Sequence, residues 1–190
     1  MNIIAFYSPK SRSGKDSSAN FLIEYLQSSG RTIKRVSFAD KLKEQCYQLF
    51  GSFGVKDREY YEKFPEERKI IIPELNMDVV ELWVKYGNHM RDIYPDYWVD
   101  LALKDPLIQT YDYIVMADLR YKNELDYIRK YPSLVFNIKR NSSDVIKRGS
   151  DGKIKGKVFD ININNNGTLE QLRTKIIKKF GEFQWAKVQK

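Results

Sequence analysis

The feature that most constrains the fold is an alternation of short apolar segments with longer segments whose apolar residues recur at helical spacing. Five apolar segments have the length of buried strands, and they are residues 3–7, 33–38, 113–117, 134–138 and 158–163. Strands joined by helical crossovers form right-handed βαβ units. The sequence therefore predicts an α/β domain in which helices cover both faces of a parallel sheet.

The helical segments carry recognisable start and stop signals. Gly30 is placed to end a first helix, and Asp40 is a candidate N-cap for a second. Thr168 and Gln171 have the spacing of a capping box that opens the last helix. Further helices are expected at residues 77–90 and 124–130. Residues 51–74 interrupt the pattern with charges, two prolines and several tyrosines, which indicates an insertion or a mobile flap.

Length and composition set outer limits. At 190 residues, 42% of them apolar, the chain is long enough for one compact domain. The single Cys46 excludes an internal disulfide and a cysteine-built metal site. The single His89 argues against a histidine cluster or a catalytic triad, and we expect it at the surface or at a helix end. No apolar run reaches bilayer length and no signal-peptide pattern is visible, so we expect a cytoplasmic protein.

The net charge of +8 is carried entirely by residues 139–190, because acidic and basic residues balance over residues 1–138. A basic zone attracts polyanions, whether a nucleic acid or the phosphate chain of a nucleotide. On charge alone, a solvated lysine-rich surface is the simpler interpretation.

A basic, glycine-containing segment at residues 139–157 connects the fourth and fifth predicted strands. It would overhang the end of the sheet, so the sequence predicts a lid over residues 141–157 that closes on phosphates and excludes water. Arg140 and Arg148 are the arginines that would stabilise charge on a transferring phosphoryl group. A disordered loop is the competing interpretation.

The segment between the first strand and the first helix has the pattern of a phosphate-binding loop. Residues 9–16 follow G-x-x-x-x-G-K-[ST] with Gly14 and Lys15 in place, but with Pro9 at the first glycine and Asp16 at the hydroxyl position. Such a loop surrounds an anion with backbone N–H groups and a helix N-terminus. A basic turn is the alternative. The candidate phosphate ligands are Ser11, Arg12, Ser13, Gly14, Lys15, Ser17 and Ser18.

Asp16 places a carboxylate beside the lysine of this loop. As a functional residue it would contact magnesium, directly or through water, since magnesium prefers oxygen ligands. As a structural residue it would be a first-turn acid that interacts favourably with the helix dipole.

Asp118 and Arg120 follow the third predicted strand. A carboxylate at the carboxyl end of a buried parallel strand faces the crevice where α/β proteins bind ligands. There Asp118 would position magnesium or hydrogen-bond a sugar, and Arg120 suits bidentate phosphate capture. An acid paired to a neighbouring arginine at a strand end is the structural alternative.

An aromatic segment around Arg91 forms a third candidate site. Arg91 would hold a phosphate while a nearby aromatic ring stacks on a base. Without further context, Trp83 and Trp98 are better interpreted as core residues.

Taken together, these motifs resemble those of the bacteriophage-type deoxynucleoside monophosphate kinases, a branch of the P-loop kinases. The matching motifs follow the family's order over most of the chain, at residues 13–16, 37–43, 87–91, 95–98, 118–120, 123–124 and 165–172. In that family an aspartate follows the P-loop lysine, so Asp16 fits the pattern, whereas Pro9 departs from it. The resemblance implies a single three-layer P-loop NTPase domain with a five-stranded parallel sheet, helices on both faces and a lid, the segment 51–74 being an acceptor-side flap.

The resemblance also implies transfer of the γ-phosphoryl group of ATP to a deoxynucleoside monophosphate, with Mg²⁺ near Asp16 and Ser17. The implied catalytic residues are Lys15, Asp16, Asp118 and Arg120. On the ATP side, Arg140 would meet the phosphates, and the turn containing Asn165 and Gly167 would lie against adenine. The implied acceptor-side residues are Asp40, Lys43, Arg91, Trp98, Asp100, Asp118, Arg120 and Glu124. The expected partners are small molecules, with no membrane or specific nucleic acid, and with a homodimer as an open possibility. If the chain is phage-encoded, it would work in the host cytoplasm.

Three alternatives remain from the sequence. The first is another small-molecule P-loop kinase resembling dephospho-coenzyme A kinase, which shares the Asn-Asn-Gly-Thr turn. The second is a basic nucleic-acid-binding module, although no helix-turn-helix, zinc or RNA-binding signature is visible. The third is a degenerate P-loop protein that binds nucleotide without turnover, an alternative that Pro9 keeps open.

Overall fold

A parallel sheet of five strands organises the larger part of the computed structural model, which describes residues 2–141, 154, 156 and 158–188. The chain divides into two units. The sheet unit consists of Met1–Val36 and Asp105–Lys190, and the helical unit consists of Ser37–Lys104. Whether the chain works as the single predicted domain stays a prediction.

In chain order the strands are β1 (Asn2–Tyr7), β2 (Ile33–Val36), β3 (Ile71–Ile72), β4 (Met77–Asp78), β5 (Tyr113–Leu119), β6 (Ser133–Lys139) and β7 (Ile161–Asn164). The helices are α1 (Lys15–Ser28), α2 (Phe38–Phe50), α3 (Arg58–Lys63), α4 (Val79–Ile93), α5 (Tyr97–Leu103), α6 (Lys122–Ile128) and α7 (Leu169–Val188).

The five strands of the sheet unit lie in the order β2-β5-β1-β6-β7, and every pairing is parallel. The central strand β1 is buried on both faces, since none of the side chains from Ile3 to Tyr7 is more than 2% exposed. This is why its sequence is continuously apolar instead of alternating. The predicted five-stranded parallel α/β fold is confirmed.

One face of the sheet packs against α1 and α7. Ile4 and Phe6 of β1 lie in the same buried cluster as Leu22 of α1 and Ile176 of α7. The predicted capping box opens α7: the Thr168 N–H donates to Gln171 Oε1 at 3.1 Å, and the Gln171 N–H donates to Thr168 Oγ1 at 3.3 Å. These two bonds satisfy N–H groups that the first helical turn leaves without intrahelical acceptors.

The helical unit has a core of its own, formed by Cys46, Val55, Tyr61, Ile72, Val79 and Leu82. Burial raises the pKa of the Cys46 thiol to about 12. Residues 51–74 contribute a 3-10 turn, α3, a second 3-10 turn and β3, which pairs antiparallel with β4. The segment is therefore built of regular elements, and its role as an acceptor-side flap stays a prediction.

The structure differs from the sequence prediction at several element boundaries, among them the start of α2. Phe38 is the first residue of α2 and not the end of β2, because Ser37 occupies the N-cap position. Asp40 consequently lies in the first turn of α2 and is not its cap, although an acid in this position still favours the helix dipole. The short helix α5 was not predicted, since seven residues that follow closely on Pro95 show little helical periodicity.

None of the helices in the described ranges is both long enough and apolar enough to cross a membrane.

Candidate functional site

In the sheet unit, most of the predicted site residues lie in the segments that follow the strands at the carboxyl edge of the sheet. Tyr7, the last residue of β1, is in register with Leu119 of β5 and with Asn137 of β6. Likewise Lys139 of β6 is in register with Asn164 of β7. The loop after β1 therefore lies at the same edge as Arg120, Arg140 and the turn after β7. This edge is where ligands bind in open α/β sheets.

The loop after β1 turns sharply into α1. Arg12 (φ +61°) and Gly14 (φ +93°) both adopt left-handed backbone conformations, and α1 begins at Lys15. The Lys10 carbonyl accepts hydrogen bonds from the hydroxyls of Ser8 (2.6 Å) and Ser13 (2.8 Å). Because the N-cap residue is Gly14, no capping side chain occupies the first turn, and its N–H groups can serve an anion. Pro9 stands where no left-handed conformation is required, so it is compatible with this path.

Lys15 and Asp16 form an ion pair at the start of α1. The Lys15 side chain is 17% exposed, and its Nζ lies 3.0 Å from Asp16 Oδ2. The other oxygen of Asp16 lies 3.0 Å from a guanidinium nitrogen of Arg35 on β2. Two cations thus share one carboxylate, and the group keeps a net charge of +1. Arg35 was not predicted as a site residue, because nothing in its own segment distinguishes it from an ordinary exposed strand residue.

Asp16 and Ser17 provide a carboxylate and a hydroxyl at the first turn of α1. These are oxygen donors of the kind that magnesium selects, and one or two of them suffice because the ion keeps most of its waters. The Asp16 carboxylate is exposed, so the donor set fits the ion. Binding there would compete with the ion pairs from Lys15 and Arg35.

The segment after β5 is held by Glu124 of α6. The buried Glu124 carboxylate accepts hydrogen bonds from the N–H groups of Arg120 (2.9 Å) and Tyr121 (3.0 Å). Glu124 therefore fixes the backbone at Arg120. Its predicted contact with a substrate stays a prediction. Asp118 lies beside an irregularity in the pairing of β1 with β5, and its Oδ1 atom is buried.

The turn after β7 is tied to the loop after β1. Asn165 is buried; its backbone N–H donates to the Lys139 carbonyl at 2.7 Å and its Nδ2 donates to the Ser13 carbonyl at 3.0 Å. The amide that the family resemblance places on the adenine side thus contacts the loop after β1. Gly167 cannot carry a side chain without displacing Gln171, which completes the capping box of α7.

The predicted lid falls largely on residues that are not described. Arg140 follows β6 and is half-buried, and the backbone N–H of Asn141 donates to Asn166 Oδ1 at 2.9 Å. Arg148 lies outside the described residues, as does most of the segment 141–157.

Within the helical unit, Gly87 joins two of the predicted acceptor-side residues. Its carbonyl accepts hydrogen bonds from Arg91 Nη1 and Trp98 Nε1, each at 3.1 Å. A Cβ on Gly87 would lie 2.5 Å from Leu42 Cδ1, so α4 approaches α2 closely at this point. Trp98 is 1% exposed and packs edge-on against Tyr86 and Tyr97, as the core interpretation predicted.

The other predicted residues of the helical unit have partners in their own surroundings. Asp40 pairs with Arg58 at 2.7 Å, and both line a surface cavity of about 360 Å³ together with Glu44, Tyr47, Asp57 and Glu59. Burial lowers the pKa of Lys43, with Asp40 opposing this effect, and its Nζ lies 5.3 Å from the centre of the Trp83 ring. Asp100 pairs with Lys104, and this hydrogen bond raises the pKa of Lys104.

Comparisons with known proteins found similar chains among curated sequences and among solved structures. No family model matches the chain. A protein of Acanthamoeba polyphaga mimivirus named "Putative deoxynucleotide monophosphate kinase" is 26% identical over 186 residues, which cover 87% of this chain and 89% of that protein. Dephospho-CoA kinase from Campylobacter jejuni matches with a TM-score of 0.50 at 16% identity, over 98% of this chain and 100% of that one. The APS kinase CysC of Mycobacterium tuberculosis gives a TM-score of 0.47 at 12% identity, over 93% and 94% of the two chains. The chain thus has the α/β fold found in P-loop kinases.

Proposed function

We propose that this protein is a P-loop kinase that transfers the γ-phosphoryl group of ATP to a deoxynucleoside monophosphate. The observation that carries the proposal is the position of Lys15, which opens α1 behind a left-handed glycine at the carboxyl edge of the central strand. That arrangement gathers backbone N–H groups, a helix N-terminus and an ammonium group around one anion. The name of the mimivirus relative supports the choice of acceptor.

On the donor side, the first turn of α1 and the loop before it would hold the triphosphate, with Lys15 on its terminal phosphates. Asp16 and Ser17 would hold magnesium, which neutralises charge on the phosphate oxygens when bound. Arg140, at the end of β6, would add positive charge on the same side. The turn containing Gly167 would border the adenine.

On the acceptor side, Arg120 would bind the monophosphate, with Glu124 fixing its backbone and Asp118 beside it. The other proposed acceptor-side residues are Arg91, Lys43, Asp40, Asp100 and Trp98. An oxygen of the acceptor phosphate attacks the γ-phosphorus as the bond to the β,γ-bridging oxygen breaks, and ADP leaves. Since a phosphate monoester is mostly a dianion at pH 7, the attacking oxygen carries no proton and the reaction requires no strong base.

We further propose that the protein is a cytoplasmic enzyme of deoxynucleotide metabolism, encoded by a phage or another virus. It would act on small molecules in the host cell. The mimivirus relative supports a viral source. A homodimer is compatible with the proposal but not required by it.

The direct test measures ADP release from ATP and Mg²⁺ with each deoxynucleoside monophosphate in turn. Turnover with at least one acceptor is expected, with a loss of at least about a hundredfold in Lys15→Ala, because that lysine stabilises charge in the transition state. Lys34→Ala is the matched control, since it removes an exposed lysine of β2 and should retain full activity.

Three other results of this assay and of binding measurements would favour a different function. Turnover with dephospho-coenzyme A and with no deoxynucleoside monophosphate would move the protein to a different acceptor class. Binding of ATP by folded protein without any turnover would indicate a nucleotide-binding protein. Tight, steeply salt-dependent binding of nucleic acid without kinase activity would favour the nucleic-acid-binding alternative.

A further inference from the structure

Asn165 makes a buried contact between the turn after β7 and the loop after β1. It is 2% exposed, and its Nδ2 donates to the carbonyl oxygen of Ser13 across 152 residues of sequence. Its own backbone N–H is fixed by the Lys139 carbonyl at the end of β6. The side chain therefore has a fixed origin and a fixed target, and that target is the backbone of the phosphate loop.

The contact determines which way one peptide of the loop faces. In a planar trans peptide the C=O and the following N–H point in opposite directions. Because the Ser13 carbonyl is directed at Asn165, the N–H of Gly14 is directed away from Asn165. A side chain at residue 14 would interfere with this arrangement, since a Cβ there would lie 2.5 Å from Asn165 Nδ2.

The turn that carries Asn165 is itself held on both sides. The Asn164 carbonyl accepts a hydrogen bond from Lys175 Nζ at 3.1 Å, and Asn166 Oδ1 accepts one from the N–H of Asn141. The capping box of α7 follows immediately. Asn165 is thus anchored to β6 and α7, and a group anchored in this way can hold a loop peptide in one orientation at low entropic cost.

We propose that Asn165 is a positioning residue that orients the Ser13–Gly14 peptide so that the Gly14 N–H faces the nucleotide phosphates. The inference rests on the proposed function, because it assumes that the loop binds a phosphate chain. It assigns Asn165 to the phosphates and not to the adenine ring.

The test uses two ligands that share a triphosphate chain, of which only ATP contains a nucleoside. Dissociation constants for ATP and for inorganic tripolyphosphate are measured by calorimetry on the wild-type protein, on Asn165→Asp, in which an oxygen replaces the donor and repels the Ser13 carbonyl, and on Asn165→Leu, which removes the donor without adding a charge that would itself repel the phosphates. We expect both ligands to bind about ten- to a hundredfold more weakly, since a misaligned N–H loses a hydrogen bond to a charged group. Loss for ATP alone, with tripolyphosphate unchanged, would overturn the inference and return Asn165 to the adenine.

Asn2→Asp is the matched control. Asn2 Nδ2 donates to the Asp112 carbonyl at 3.2 Å, so it makes the same type of bond at the opposite edge of the sheet. This variant should bind both ligands as the wild type does. Equal weakening in both variants would reduce the role of Asn165 to general stability.

A measurement on the wild-type protein covers the case in which Asn165→Asp does not fold. The backbone amide resonance of Gly14 is followed by NMR as tripolyphosphate is added, and a downfield shift of its proton is expected. Binding without such a shift would overturn the inference while leaving the proposed function intact. If neither ligand binds the wild-type protein, the proposed function itself fails.

Discussion

At the scale of single residues, the loop after β1 is notable for how its charges are balanced. A carboxylate next to Lys15 should weaken the attraction of this loop for anions. The structure adds a second cation, since Arg35 reaches Asp16 from β2 and also contacts Asn20. We infer that Arg35 offsets the charge of Asp16 and leaves Lys15 available to a ligand.

This arrangement predicts that Arg35→Gln weakens tripolyphosphate binding in the absence of magnesium about two- to fivefold, the range expected for an exposed ion pair. Because the loss would come from the unopposed carboxylate, adding Asp16→Asn should restore most of the affinity. Lys34→Gln, which removes the neighbouring charge on the same strand, should have the smaller effect. Calorimetric titration of Arg35→Gln, Asp16→Asn, the double variant and Lys34→Gln checks this, and additive effects in the double variant would contradict it.

At the scale of elements, the start of α7 determines where the turn containing Asn165 lies. The Thr168 hydroxyl accepts a hydrogen bond from the Gln171 N–H, while Gln171 Oε1 accepts one from the Thr168 N–H. The helix end and the turn are therefore fixed together.

Thr168→Ala is expected to destabilise the protein by about 1 kcal/mol, the usual cost of losing an N-cap side chain, and to lower Tm by about 2–4 °C. Thr174→Ala in the same helix is the control, because its hydroxyl bonds only a helix carbonyl and alanine is the better helix former. Thermal melts followed by circular dichroism measure both. Equal melting temperatures for the two variants would show that the capping box contributes little.

The elements also show what the sequence can and cannot predict. The continuous apolar run of β1 and the Thr168–Gln171 spacing are local signals, and both predictions held. The boundary between β2 and α2 was wrong because Ser37 and Asp40 are both residue types that favour the N-cap, and it is Ser37 that occupies this position. Arg35 and the Ser13 partner of Asn165 depend on contacts 19 and 152 residues apart, which no local pattern encodes.

At the scale of the whole molecule, a ligand that binds only the folded state must raise the melting temperature. ATP at about a hundred times its dissociation constant contributes roughly 2.7 kcal/mol, which corresponds to an increase in Tm of about 5–10 °C for a chain of this size. Because residues 139–190 carry the whole net charge, any polyanion will also bind weakly.

The increase should therefore persist against sodium chloride of equal ionic strength and disappear in Lys15→Ala. Differential scanning calorimetry of both proteins, with and without ATP, provides the comparison. A shift that the variant retains in full would assign the effect to the basic surface and not to the loop.

The position of β1 has a consequence for how the protein is made. Of the five strands in the sheet, the central one is synthesised first, and both of its neighbours, β5 and β6, follow the helical unit in the sequence. At ordinary translation speeds β1 waits roughly 5 to 20 s for β5 to be synthesised. During that time the helical unit, whose residues are contiguous, can assemble. An apolar strand left without neighbours is a site of aggregation. The yield of folded protein should therefore depend on how well chaperones shield β1 during synthesis.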